Sequence, residues 1–227
     1  MFKKDSFLAE KAILLCNGPS LAKVELSRLD RNRFFLVGLN NIVRFLDQLS
    51  ISIDFYIAAD RLIFQDSRDV IHKLSCWKYL REHTCDDDLK VSCRVTTFNS
   101  DCQLQERNLF SFDPNLFVSG LAGAPYIAFQ ILHYLGFQEI CIIGMDHTLG
   151  MPNHPDSSKH FVSNYFSNSI LDSDAVEKTK PMSERDPYFN YANEVFKYSR
   201  RQIFNCTPNS LCKVFPHAPL DYLYSAA

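Results

Sequence analysis

Side chains able to hold a polar ligand recur in this chain directly after short apolar runs. Asn17 and Ser20 follow Ala12–Cys16, Asn40 and Asn41 follow Phe34–Leu39, Asp60 follows Ile53–Ala59, and Asp146 and His147 follow Glu139–Met145. Asn209 and Ser210 stand just beyond Gln202–Asn205, and Ser119-Gly120 precedes an apolar helical stripe. Carboxamides and hydroxyls at such places read a base or a ribose by hydrogen bonds, and carboxylates accept ribose hydroxyls or hold a divalent cation. Each also has a plainer use: Gly18-Pro19 and Pro208-Asn209 are turn formers, Ser20 and Ser119 suit helix caps, and Asp146 can cap as well. The recurrence at six such places, five strand ends and one helix start, favours a ligand. A nucleotide is the first to consider, because a strand that ends in a small polar turn and feeds a helix is where α/β proteins hold phosphate groups.

Proton transfer falls to histidine. His160 lies in His160-Phe-Val-Ser-Asn-Tyr165-Phe166, within a stretch without apolar period, and can act as a general base on a loop above the ligand. His147, beside Asp146, is its competitor, and His133 sits in a helical stripe where a structural role is expected. No Ser-His-Asp or Cys-His arrangement is evident, which argues against covalent catalysis.

The elements that must position these groups alternate. Ala12–Cys16, Phe34–Leu39 and Ile53–Ala59 are short and rich in β-branched or aromatic residues and read as strands, with helices expected over Leu21–Leu29, Ile42–Leu49 and Leu62–Leu74. Ser75–Pro114 is less regular, with one strand expected over Lys90–Phe98 and a solvated loop at Asp86-Asp87-Asp88. Ala124, Ile127, Ala128, Ile131, Leu132 and Leu135 trace one helical face that Gly136 is placed to end. Glu139–Met145 is a buried strand, Tyr188–Arg201 a helix and Gln202–Asn205 a last strand. The expected architecture is therefore α/β: a single Rossmann-like, doubly wound, mainly parallel sheet over residues 1–227, with a lid-like insert at about 147–187.

Composition agrees with a globular chain: 227 residues, 46% hydrophobic, 22% charged, with a formal net charge of −2. Dispersed basic residues leave no footprint for nucleic acid. The apolar runs fall short of the roughly 18–20 residues that span a bilayer, and Met-Phe-Lys-Lys-Asp lacks a signal-peptide core. A cytoplasmic protein without a transmembrane segment is expected, with peripheral membrane association and homo-oligomerisation left open. The eight cysteines form no CxxC pair or zinc-type cluster, so they read as buried apolar groups and no metal site is assigned. Asn-Gly-Pro-Ser-Leu has neither the GxGxxG spacing of dinucleotide binders nor the P-loop pattern.

The ordered set Cys16-Asn-Gly-Pro-Ser-Leu21, Leu39-Asn40-Asn41, Asp54-Phe-Tyr-Ile-Ala-Ala-Asp60, Ser119-Gly120, Gly144-Met-Asp146-His147 and Thr207-Pro-Asn-Ser-Leu211 resembles two related groups. These are the bacterial sialyltransferases of glycosyltransferase family 42 and the MptE-like (6-hydroxymethylpterin diphosphokinase-like) proteins. The first resemblance implies a CMP-sugar donor with no tightly bound cofactor and no metal, held by Asn17, Ser20, Asn40, Ser119, Asp146, Asn209 and Ser210; Gly18, Asp60 and Gly120 are further candidates for substrate binding at the same rim. It also implies a histidine base, for which His160 is the nearest match, and a glycan hydroxyl as acceptor. The family's aspartate is followed by an aromatic pair whose tyrosine supports the leaving phosphate. Here His147-Thr148 follow instead, and Tyr165 is the nearest substitute.

The Gly-Met-Asp-His form and the His-Phe-x-x-x-Tyr-Phe motif look closer to bacterial MptE-like proteins, whose setting is often surface-polysaccharide biosynthesis. A diphosphokinase would use Asp60 and Asp146 to position magnesium and ATP phosphates. A non-catalytic nucleotide-binding module is the third reading. Transfer of a sialic-acid-like sugar from a CMP-type donor is placed first.

Overall fold

Along β1 (Lys11–Leu15), Ala12 and Leu14 join one apolar layer while Ile13 and Leu15 join the other, as the two-residue repeat of a strand requires when both faces are covered. The same alternation occurs in β6 (Glu139–Ile143), with Ile140 and Ile142 on the first side and Cys141 and Ile143 on the second. The computed structural model describes residues 2–100, 109–148 and 182–225. The remaining strands are β2 (Phe35–Leu39), β3 (Phe55–Ala58), β4 (Trp77–Arg81), β5 (Val95–Phe98) and β7 (Gln202–Asn205). All seven lie in one sheet of order β5-β4-β3-β2-β1-β6-β7, every pair parallel. This is a doubly wound α/β sheet.

The chain runs outward from β1 to β5 and then returns to place β6 on the other side of β1. Strand order therefore reverses between β1 and β6, and in such sheets the crevice beyond the carboxyl ends at this point takes ligands. The first layer is covered by α3 (Ala124–Leu135) and α4 (Asp186–Tyr198), the second largely by α1 (Arg61–Lys73) and several 3₁₀ turns. A short helix, α2 (Asp87–Lys90), lies between β4 and β5. No helix of the described residues is long and apolar enough to cross a membrane.

Several expectations are corrected. The helices expected over Leu21–Leu29 and Ile42–Leu49 are 3₁₀ segments, Pro19–Lys23 with Leu26–Arg28 and Asn40–Arg44 with following turns. In the first, Leu21, Val24, Leu26 and Leu29 are all buried, but their spacing drifts from 3.6, so short turns rather than one helical face carry them inward. The strand expected over Lys90–Phe98 begins only at Val95, because Asp86–Lys90 is a helical turn with acidic residues at its start. β4 was not foreseen. Its Lys78 is buried, and the sheet tolerates it because Nζ donates to the carbonyls of Leu74 at 2.7 Å and Cys76 at 3.4 Å. Gly136 ends α3 as expected. The insert proposed at 147–187 lies mostly outside the described residues.

One buried group in α3 makes stability depend on pH. The His133 ring packs edge-on against Phe110, Phe112 and Phe196, with Nε2 2.9 Å from Ser199 Oγ. Burial first, and Arg201 second, push its pKa down to about 4. The unfolded chain then binds a proton that the folded chain refuses, so stability is full above about pH 6.5 and falls toward pH 4, by about 3 kcal/mol for this group. His133→Phe is expected to flatten that part of the stability profile. Urea titrations at a series of pH values check it, and an unchanged slope would remove His133 as the cause.

Candidate functional site

β1 and β6 come together closely enough beyond their carboxyl ends that two positions admit no side chain. Cys16 N donates to Ile143 O at 2.9 Å and Gly18 N to Gly144 O at 2.8 Å. A Cβ on Gly18 would lie 2.0 Å from Asp146 Oδ2, and one on Gly144, whose φ is +76°, 2.5 Å from Cys16 O. Asp146 then accepts from Ser20 N at 3.1 Å and Ser20 Oγ at 2.8 Å, which pins the first turn to the end of β6. Gly18, Ser20 and Asp146 thus form one unit.

A cleft of about 910 Å³ opens over this unit, lined among others by Asn17, Gly18, Asn40, Asp60, Gly120, Asp146 and His147. Asn17 donates through Nδ2 to Leu39 O at 3.0 Å, and its buried Oδ1 has no partner among the described residues. Asn40 has φ +46° and its carbonyl accepts from Tyr56 OH, and its buried Oδ1 is likewise unpaired among the described residues. Buried acceptors in native proteins nearly always find a donor, so these two call for a ligand bearing hydroxyl or amino groups. Asp60 caps α1, with Oδ1 accepting from Leu62 N at 2.8 Å and Ile63 N at 3.4 Å.

Other expected residues stand elsewhere. Ser119 is fully buried, held through its backbone by Gln130, and it does not cap α3, whose N-cap is Gly123. Asn209 is exposed at a turn with φ +56°. Ser210 Oγ donates to Met145 O at 2.5 Å and accepts from Asn205 Nδ2 at 2.9 Å, which ties the turn after β7 to the end of β6. Neither lines the cleft. His160 and Tyr165 lie outside the described residues.

Sequence reading missed Arg185. This half-buried cation lines the cleft over the first turn of α3, with Nη1 3.0 Å from where a Cβ on Gly123 would stand. Burial lowers its pKa. A guanidinium stays charged at neutral pH, and beside a helix N-terminus it favours an anion. Nothing in the sequence around Arg185 signals this, because its neighbours in the cleft come from elements far along the chain.

His147 is buried at φ +66°. Its Nε2 is 2.8 Å from Asp186 Oδ1, yet neither ring nitrogen nor that oxygen completes a hydrogen bond among the described residues. Burial lowers the His147 pKa against the opposing pull of Asp186, so the ring is neutral near pH 7. The arrangement can bind a ligand with donor groups at the Asn17 and Asn40 end and an anion near Arg185.

No protein-family model and no curated protein sequence matches the chain. Solved structures do. The chain is similar in fold to the MAf glycosyltransferase from Magnetospirillum magneticum AMB-1, with a TM-score of 0.63 at 13% identity over 97% of this chain. It spans only 35% of that protein's length. It is also similar to the sialyltransferase CstII from Campylobacter jejuni, solved with cytidine-5'-monophosphate, with a TM-score of 0.58 at 17% identity over 96% of this chain and 88% of the other. The monofunctional alpha-2,3-sialyltransferase Cst-I from the same organism gives 0.55 at 13% identity, over 100% of this chain and 87% of that one.

Proposed function

We propose that this chain is a glycosyltransferase that moves a sialic-acid-like sugar from a CMP-type donor to an acceptor hydroxyl, in the making of a surface glycan. The observation that carries the reading is the pair of buried carboxamide oxygens of Asn17 and Asn40 at adjacent strand ends, unpaired among the described residues, in a cleft that also presents Arg185. Base and ribose supply donors to the first two, and the phosphate supplies the anion for the third. The fold shared with a sialyltransferase solved with cytidine-5'-monophosphate supports the choice of nucleotide.

In this proposal His160 takes the proton from the acceptor hydroxyl, the freed oxygen attacks the anomeric carbon, and the bond to the nucleotide phosphate breaks. Arg185, the α3 N-terminus and Tyr165 stabilise the charge that develops on the leaving phosphate. Holding donor and acceptor in line supplies much of the rate. The carboxylates of Asp60 and Asp146 already accept from backbone and side-chain donors. This favours transfer without a donor-bound metal over the magnesium-dependent diphosphokinase.

A thermal-shift screen of CMP, CDP, UDP, ATP with magnesium, and pterins tests the reading. CMP at 100 times its dissociation constant is expected to stabilise by about 2.7 kcal/mol without metal. Asn17→Ala and Asn40→Ala are each expected to weaken CMP by about tenfold, the worth of one hydrogen bond. A response only to ATP with magnesium, or only to a pterin, would sink the transferase. His160→Ala is expected to keep CMP binding and lose transfer, while CMP binding without donor turnover in the unaltered chain would indicate the non-catalytic module.

A further inference from the structure

We propose that His147, Asp186 and Cys212 form a binding site for a divalent metal of the zinc class, beside the nucleotide cleft. One ligand atom from each residue lies within 4.8 Å of the other two. They come from three separate segments: the turn after β6, the first residue of α4, and the loop after β7.

The second observation is independent of that spacing. His147 is 5% exposed, and both its ring nitrogens, together with Asp186 Oδ1, are buried polar atoms without a hydrogen-bond partner among the described residues. The imidazole and the carboxylate attract each other at 2.8 Å but are not aligned for a full hydrogen bond, and His147 Nδ1 has no partner at all among the described residues, so both groups keep ligating capacity for an ion.

The chemistry of the donor set fits. Imidazole, carboxylate and thiolate together suit zinc and exclude magnesium or calcium, which take oxygen ligands. Tetrahedral zinc places such ligands about 3.3–3.6 Å apart, so the site closes with side-chain movements of about an ångström. One carboxylate and one thiolate cancel the charge of the ion, and binding releases the Cys212 proton. Cys212 is buried, which disfavours its thiolate, but the backbone amides of Val214 and Phe215 donate toward its sulfur and offset part of that cost. Three protein ligands leave a fourth position for water or a substrate oxygen, and one of the three, His147, also lines the cleft. This gives His147 to the metal and leaves the proposed proton transfer to His160. The inference stands whichever nucleotide binds.

Cobalt substitution is the test. The untagged full chain, stripped with chelator, is titrated with Co²⁺ and then Zn²⁺. One equivalent of cobalt is expected to give a thiolate charge-transfer band and tetrahedral visible bands, both displaced by zinc. Cys212→Ser is expected to abolish the charge-transfer band, whereas Cys93→Ser, at an exposed thiol, leaves it intact. His147→Ala and Asp186→Asn are each expected to weaken zinc binding by more than about tenfold, measured by competition with a chromophoric chelator. Circular dichroism reports whether each variant folds. Absence of a thiolate band in the unaltered chain overturns the proposal even if Cys212→Ser does not fold, and so does a band that survives Cys212→Ser.

Discussion

Gly144→Ala is expected to cost the fold at least about 3 kcal/mol and to abolish nucleotide binding. Two effects add. The backbone φ of +76° is strained for any residue with a Cβ, which accounts for about 1–2 kcal/mol. The new carbon would also lie 2.5 Å from Cys16 O, a main-chain atom that moves only if β1 moves. Separation of the two strands breaks the Gly18 N to Gly144 O bond and draws Asp146 away from Ser20. Gly18→Ala lacks the strained φ, but its Cβ would lie 2.5 Å from Gly144 O as well as 2.0 Å from Asp146 Oδ2, so it is expected to force the same two strand ends apart and to be equally harmful to binding. Urea denaturation with a CMP titration measures both, and a Gly144→Ala variant within about 1 kcal/mol of the parent would show that the close approach is not required.

Gln130→Leu is expected to be nearly as damaging, on the order of 4 kcal/mol, although it replaces a polar residue with an apolar one in the middle of an apolar layer. Gln130 is fully buried. Its Oε1 accepts from Ser111 N and Ser119 N, each at 2.9 Å, and its Nε2 donates to Ser119 O at 2.7 Å and Tyr126 O at 2.9 Å. Leucine would leave two buried N–H groups and a carbonyl without partners. The loss would act on the site as well, because those bonds fix the segment that presents Gly120 to the cleft. Hydrogen exchange at the Ser119 amide should accelerate. A Leu variant as stable as the parent would show that these groups find other partners.

The sequence announces this sheet most clearly where β-branched or aromatic residues fill the centre of a strand. Glu139–Ile143 and Gln202–Asn205 lie where alternation and β-branching place them. Trp77–Arg81 escaped because Lys78 and Arg81 mask its pattern, and only the fold reveals the carbonyls that make a buried lysine tolerable. Gln130 stayed hidden for a related reason, since a lone polar residue among the apolar positions of α3 gives no local sign of four bonds to distant backbone. The polar strand ends that line the cleft were legible because parallel strands bring their carboxyl ends to one rim. Arg185 and the His147–Asp186–Cys212 grouping were not, since each depends on contacts between segments whose meeting no sequence period encodes.

The position of β6 beside β1 also has a consequence for how the molecule comes into being. Partners in that pair are far apart in the chain, as with Ala12 and Ile140, and the side chains of Lys11 and Glu139, 128 residues apart, meet at 3.2 Å at its base. During synthesis β1 through β5 emerge first and can pair in order, but one edge of β1 stays bare until β6 arrives. A bare, apolar parallel edge invites pairing with other chains, and pairings of such sequence separation form slowly. The nascent protein therefore passes through an interval in which most of its sheet exists without the cleft between β1 and β6, and in which aggregation competes with completion.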